Sequence, residues 1–328
     1  MIRTDVMILA GSLPSSIAIT FDVLATANRL RVSAGREPAF EVQVTGSGAA
    51  GARAMAGSLY RPAGSSGLGQ PELVIMPGLG LTSEDEAKTR LAKPDARRAQ
   101  QALIAAVEAG TEIATSCSGV FLLAQAGLLA GRRATTSWWM APLFRRLYPD
   151  IDLDIDALVI RDGPITTAGA AMAQMDLMLA VVARHASANL ADRCAQYLLL
   201  DARRSQTRYM ALGFLAASDA QLAKAEAWAR ARLDTDFSVG EMASACGLTP
   251  RTFARRVERT CGLSPVRFLQ RLRIEVAQEL LETTQLPFDE IARRVGYAEP
   301  STLRRIIRRD TGQGPSQLRI GHVTARAS

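Results

Sequence analysis

Apolar residues in the N-terminal part of the chain come in short dense runs separated by longer stretches with helical spacing. DVMILA, from Asp5, has the pattern of a buried strand, and a Ser/Pro turn leads from it into the apolar helix SIAITFDVLATANRLRVSAG. FEVQVTG follows as a second strand, then a Gly/Ala/Ser-rich stretch, then ELVIMPG from Glu72 as a third. The helix ARRAQQALIAAVEAG precedes the strand TEIATS, which starts at Thr111. DALVIRDGPITTAG reads as a hairpin with Gly163-Pro164 at its turn, and AAMAQMDLMLAVVARH as a helix after it. Apolar strands that alternate with helices imply an α/β domain, its mostly parallel sheet covered by helices on both faces.

From about Gln221 to Ile320 the pattern is purely helical and one unit is written twice. VGEMASACGLTPRTFARRVERTCGLSP, from Val239, is answered by FDEIARRVGYAEPSTLRRIIRRDTGQGP from Phe288. Glu241 matches Glu290, Ala243 matches Ala292 and Gly247 matches Gly296; one extra residue later, Pro250 matches Pro300, Arg255 matches Arg305, Val257 matches Ile307 and Gly262 matches Gly312. Each copy reads as helix, tight turn, helix. In the first, Gly247 stops a helix, and Thr249-Pro250 supplies the N-cap and first-turn proline of the next. Phe253 and Val257 form the inward stripe of that second helix, leaving Arg251, Thr252, Arg255 and Arg259 outward; Leu303 and Ile307 repeat the stripe, leaving Ser301, Thr302, Arg304, Arg305 and Arg308. Such a pair is a helix-turn-helix, whose second helix can lie in the DNA major groove. Ser264-Pro265 starts a connecting helix of roughly 18 residues, a strut of about 27 Å, which with its flanking helices can hold two reading heads about one DNA turn, ~34 Å, apart.

Charge agrees with this division. Residues 221 to 328 carry 18 Lys/Arg against 12 Asp/Glu, and residues 1 to 220 carry 21 against 20, so nearly all of the net +7 sits on the helical part. A lone arginine-rich helix is often only a solvated face. On a duplicated helix-turn-helix it points to DNA, since arginine offers both salt-dependent attraction to phosphate and a fork that fits guanine edges. The 328 residues and 48% hydrophobic content suit two packed domains. No apolar run approaches a membrane span and MIRTDVMILAGSLPSS has too short an apolar core for a signal peptide, so a cytoplasmic protein is expected. Cys117, Cys194, Cys246 and Cys261 are widely spaced with no CxxC, which argues against disulfides and a zinc site; no metal and no cofactor is expected.

Within TEIATSCSGVFLLAQAGLL a strand runs into Cys117 and a helix begins at once with Ser118 and Gly119. That puts Cys117 on a sharp turn at the carboxyl end of the sheet, where α/β proteins place ligand sites and helix amides can stabilise a thiolate or an anion.

The last hundred residues, above all DEIARRVGYAEPSTLRRIIRRDTGQGPSQLR, resemble the DNA-binding domain of AraC/XylS-type regulators. The family's usual aromatic is replaced by Leu303 and its small polar residue by Arg304. ATSCSGVFLLAQAGLLAGRRATTSWW, with MPGLG before it and TTAGAAMAQMD after it, resembles the DJ-1/PfpI, or class I glutamine-amidotransferase-like, domain, and the two together resemble the GlxA-like regulators. The expected division is a DJ-1/PfpI-like effector-sensing or dimerisation domain over 1–204, a linker over 205–220, an AraC-type DNA-binding domain over 221–320 and a flexible tail over 321–328. The resemblance implies promoter DNA and a small-molecule effector, such as an amino acid or quaternary amine, as partners, a homodimer formed through the first domain, RNA polymerase as a further partner, and activation as the usual outcome. It also implies an effector pocket between the PG turn, the cysteine elbow and the next strand, with Gly78, Ser116, Cys117, Ser118, Ser137 and Trp138 as its members. Trp138 and Trp139 are candidates for an aromatic wall around a cation, although core packing is the commoner use of such a pair.

Catalysis requires more than the thiol. Catalytic relatives often have histidine directly after the cysteine, where this chain has Ser118, and a glutamate just after the first strand, where the first glutamate here is Glu37; similar regulators often have histidine where Ser137 stands. His185 ends an apolar helix and reads as packed or surface, and His322 as solvated. A non-catalytic sensor is therefore expected. The alternative is a Cys117-dependent hydrolase, amidase or glyoxalase with an attached DNA-binding domain.

Overall fold

The computed structural model describes residues 1–50, 69–201, 203, 205–206, 209–311 and 313–319, with the side chains of residues 310 and 311 omitted. The Gly/Ala/Ser-rich stretch, Arg204, Gly312, His322 and the expected tail lie outside the described residues. The chain divides into two compact units, Met1–Gln206 and Thr207–Ser328.

In the first unit, β1 (Ile2–Met7), β2 (Phe40–Thr45), β3 (Leu73–Met76), β4 (Glu112–Ser116), β7 (Val159–Asp162) and β8 (Ile165–Ala168) form one sheet in the order β2-β1-β3-β4-β8-β7. All neighbours are parallel except β7 and β8, which form the expected hairpin. Every residue of β3 and β8 is buried, whereas β2 alternates buried and half-buried positions. This is the signature of central strands covered on both faces and of an edge strand. The helices α1 (Pro14–Val32), α2 (Glu84–Leu91), α3 (Pro94–Glu108), α4 (Gly119–Gln125), α5 (Ala141–Leu147), α6 (Gln174–His185) and α7 (Ala188–Tyr197) complete the unit, with a small parallel pair of β5 (Arg133–Ala134) and β6 (Asp152–Leu153). Phe21 and Leu24 of α1, Leu177 and Val181 of α6 and Cys194 of α7 join Val6, Val42 and Ile75 of the sheet in one core.

The second unit begins inside the stretch expected to be a linker. There α8 (Leu212–Ala217) buries Leu212, Leu215 and Ala216 against the helices that follow. Next come α9 (Ala220–Arg230), α10 (Val239–Ser244), α11 (Pro250–Cys261), α12 (Pro265–Thr283), α13 (Phe288–Arg294) and α14 (Pro300–Thr311). Helix α12 is the strut, 19 residues and thus about 28 Å long. Leu281 and Ala277 on it pack with Ile291, Val295, Leu303 and Ile307 of the second copy. No helix among the described residues is long and apolar enough to cross a membrane.

Candidate functional site

Two arrangements carry chemistry, one in each unit. The helix pairs α10/α11 and α13/α14 share the same turn, in which Gly247 and Gly296 adopt φ of 69° and 76°, a left-handed conformation that L side chains rarely occupy. Helix α10 opens with a capping box, in which Ser238 accepts from the Glu241 amide and Glu241 accepts from the Ser238 amide. In the second copy Pro287 stands where Ser238 does and has neither hydroxyl nor N–H, so the matching Glu290 turns to Arg293 and Arg294 instead. Thr249 caps α11 by accepting from the Thr252 amide, and Gly262 closes it at φ 70°.

Phe253 and Val257 on α11, and Leu303 and Ile307 on α14, are fully buried, so the opposite faces are left to solvent. Arg251, Arg255 and Arg259 are exposed and Thr252 is half-buried; Ser301, Arg304, Arg305 and Arg308 are exposed and Thr302 is half-buried. The outward arginines are not equivalent. Arg259 Nη2 lies 3.5 Å from Asp219 Oδ2, and the Arg304 guanidinium lies 5.1 Å from the centre of the Phe288 ring. Arg251, Arg255, Arg305 and Arg308 have no carboxylate partner among the described residues and are exposed. Two further arginines belong to these helices but not to the sequence reading. Arg309 is exposed beside Arg305, and half-buried Arg256 donates to Asp219 Oδ2 at 2.7 Å. Periodicity gave a signal for Arg309, which lies seven residues after Thr302; nothing local gave one for the Arg256 contact with a residue 37 positions away.

In the first unit the strand-to-helix elbow forms as the sequence implies. Cys117 has φ 55°, an uncommon conformation for a residue with a Cβ, and its neighbours hold it there. Its amide donates to Ala168 O at 3.0 Å and Gly169 O at 2.7 Å, its carbonyl accepts from Thr136 Oγ1 at 2.7 Å, and its Sγ lies 2.9 Å from Ser137 Oγ. A side chain on Gly119 would collide with Thr115 Oγ1, so the tight start of α4 requires glycine. Ser118 Oγ accepts from the Leu81 amide at 3.0 Å, and a Cβ on Gly78 would stand 3.0 Å from that of Cys117. Gly78, Ser116, Cys117, Ser118 and Ser137 are thus brought together, and all five are buried. Trp138 lies next to Ser137 but half-buried, meeting Trp139 edge to face at 5.5 Å between ring centres. The 78–81 loop that covers the elbow also lines an open cleft of about 530 Å³ with Gly11, Arg90 and Lys93.

His185 stands at the other end of the sheet. Its Nε2 lies 3.5 Å from Glu112 Oε2, at the first residue of β4, whereas Cys117 follows the last, about 16 Å of strand away. Burial first, then the positive charge of Arg184, hold its pKa below the usual histidine value against the pull of Glu112. The recorded hydrogen-bond partner of the Cys117 sulfur is thus a hydroxyl, Ser137 Oγ, and not a histidine or a carboxylate. Among the described residues no cluster of His, Cys, Asp and Glu could hold a metal ion.

Comparison with known proteins divides the chain in the same way. The DJ-1/PfpI family model matches residues 37–184, and a helix-turn-helix domain model matches residues 229–320. The chain is 28% identical over 214 residues to the HTH-type transcriptional regulator GlxA of Rhizobium meliloti, covering 64% of this chain and 65% of the relative. It is 28% identical over 205 residues to the HTH-type transcriptional regulator CdhR of Pseudomonas aeruginosa, covering 62% and 61%. The matched region thus spans a little under two thirds of these curated relatives. A crystal structure of an AraC family transcriptional regulator from Pseudomonas putida superposes over 60% of this chain and 100% of its own, with a TM-score of 0.43 and 21% identity. The two matched models fall one in each compact unit, the DJ-1/PfpI model on the first and the helix-turn-helix model on the second, and the relatives similar to this chain are named as HTH-type transcriptional regulators.

Proposed function

We propose that the chain is a sequence-specific DNA-binding transcription regulator, an activator whose first unit senses a small metabolite without catalysis. The observation that carries this reading is the repeated motif. Two helix-turn-helix units joined by one strut each turn a second helix outward, with Arg251 and Arg255 on one and Arg305 and Arg308 on the other without a carboxylate partner among the described residues. Curated relatives named as transcriptional regulators support it. Promoter DNA is the partner, read in the cytoplasm by a homodimer formed through the first unit, with RNA polymerase recruited beside it. Effector binding is assigned to the elbow and the adjoining cleft, and its coupling to the reading heads is a free energy between two sites. Cys117, with a serine hydroxyl for a neighbour, serves there as a packed or ligand-contacting thiol.

The test is substitution of the readers. Arg255→Ala and Arg305→Ala should each weaken binding to the chain's own upstream DNA by about 1–3 kcal/mol while leaving random-sequence duplex less affected. Equal losses on both duplexes would reduce these arginines to phosphate contacts and remove the basis for sequence-specific reading.

A further inference from the structure

The duplicated motif leaves one residue of the second unit without a role in reading DNA or filling the core. Asp219 is the N-cap of α9, and its Oδ1 accepts from the Gln221 and Leu222 amides at 3.0 and 3.3 Å. Its other oxygen faces α11. Oδ2 accepts from Arg256 Nη1 at 2.7 Å and lies 3.5 Å from Arg259 Nη2. The Asp219 side chain is only 9% exposed, whereas that of Arg259 is 64% exposed, so a buried, capping carboxylate meets the guanidinium tip of an otherwise exposed cation. Both arginines belong to the helix whose outward face carries Arg251 and Arg255.

We propose that Asp219 sets the sequence-independent affinity of the DNA-binding unit: it withholds the guanidiniums of Arg256 and Arg259 from phosphate, so that every duplex is bound more weakly, and with a shallower salt dependence, than the charge of α11 alone would give. The physical case is one of competition. An arginine free to reach a phosphate adds affinity that every sequence receives equally, and it steepens the salt dependence by about 0.9 per phosphate neutralised. An arginine bound to a fixed carboxylate must first leave it, and that cost falls on cognate and random DNA alike. Holding two of the four arginines of α11 in this way lowers the sequence-independent term equally on every duplex, so total affinity and salt dependence fall while the ratio between duplexes is kept. The inference rests on the proposed DNA-binding function.

The experiment uses the full chain with Asp219→Asn and Asp219→Ser. Both side chains keep an acceptor for the α9 cap and remove the charge, so a fold lost through the cap is avoided in at least one of them. Binding to the chain's upstream duplex and to a random duplex of equal length is titrated across a range of salt. Random-duplex affinity should rise roughly fivefold for each freed arginine at about 0.15 M salt, with the logarithmic salt slope steeper by about 1. Upstream-duplex affinity should rise by the same factor, so that the ratio of the two stays level, and adding Arg259→Gln to Asp219→Asn should reverse much of the gain. An unchanged slope and unchanged affinity in both variants, or a loss of affinity for both duplexes together, would overturn the role of Asp219. A wild-type chain with no preference for its upstream duplex would instead sink the proposed function, and the random-duplex measurement would still report on Asp219.

Discussion

The two turn glycines form a matched pair in which one substitution has two consequences. Both Gly247 and Gly296 sit in the left-handed region, so alanine strains the backbone at either site by roughly 1–2 kcal/mol, offset by about 0.4–1 kcal/mol through its stiffer unfolded chain. Their surroundings differ. A Cβ at Gly247 would meet nothing within 4 Å, but one at Gly296 would stand 2.5 Å from the Leu233 carbonyl oxygen and 2.9 Å from Arg273 Nη2. The guanidinium can move, although it is stacked near Phe237 and Tyr297, at 6.0 and 5.7 Å from their ring centres. The carbonyl is backbone and moves only with its loop. Overpacking of this kind costs about 1–3 kcal/mol, so Gly296→Ala should exceed Gly247→Ala by that amount. Amide hydrogen exchange over residues 239–311 reads the stability of the second unit by itself. Gly296→Ala should accelerate exchange in α13 and α14 well beyond any change that Gly247→Ala causes in α10 and α11. Equal effects, or a larger one at Gly247, would refute the reasoning that the second turn is pressed against the loop before the first.

Burial moves the Asp5 carboxyl up from 3.8 to about 6 against the opposing hydrogen bond from Thr45. Its folded pKa is the higher one, so between about pH 4 and 6 the folded chain holds a proton that the unfolded chain has lost, and stability falls as pH rises through that window. Asp5→Asn should therefore stabilise the first unit by about 1–3 kcal/mol at pH 7.5 and by little at pH 4, measured by denaturant unfolding; no gain at pH 7.5 would contradict the burial argument. Ser238→Ala removes the hydroxyl half of the α10 capping box and should cost the second unit about 1 kcal/mol, seen as faster exchange at the start of α10.

Much of the fold is legible because its signals are local. The all-buried runs of β3 and β8, the Gly163 turn and the paired glycines of the two reading heads each announce themselves within a few residues. Helix α2 does not, since only Ala87 and Leu91 of its eight residues are buried and five of the eight are charged. Helix α8 does not either, since it lies in RRSQTRYMALGFLAASDAQ, a mixed stretch without strong periodicity that reads as linker. The candidate sites divide in the same way. Strand-to-helix spacing places Cys117 at the elbow, but its contact with Ser137 joins residues 20 positions apart. Outward arginines follow from helical periodicity, but the bond that ties Arg256 to Asp219 spans 37 positions and depends on how α8, which leads into Asp219, packs against α11. Glu241 and Glu290 match in sequence yet differ in role, because a proline three residues earlier removes the second cap.

The central claim is that two helix-turn-helix heads read a particular DNA sequence. Its most direct test is equilibrium binding of the full chain to its own upstream duplex, titrated against random competitor and salt. Sequence-specific reading predicts affinity for the upstream duplex about 10³-fold or more above that for random DNA, with binding weakening as salt rises. Weak binding that random competitor abolishes in proportion to its concentration would contradict it.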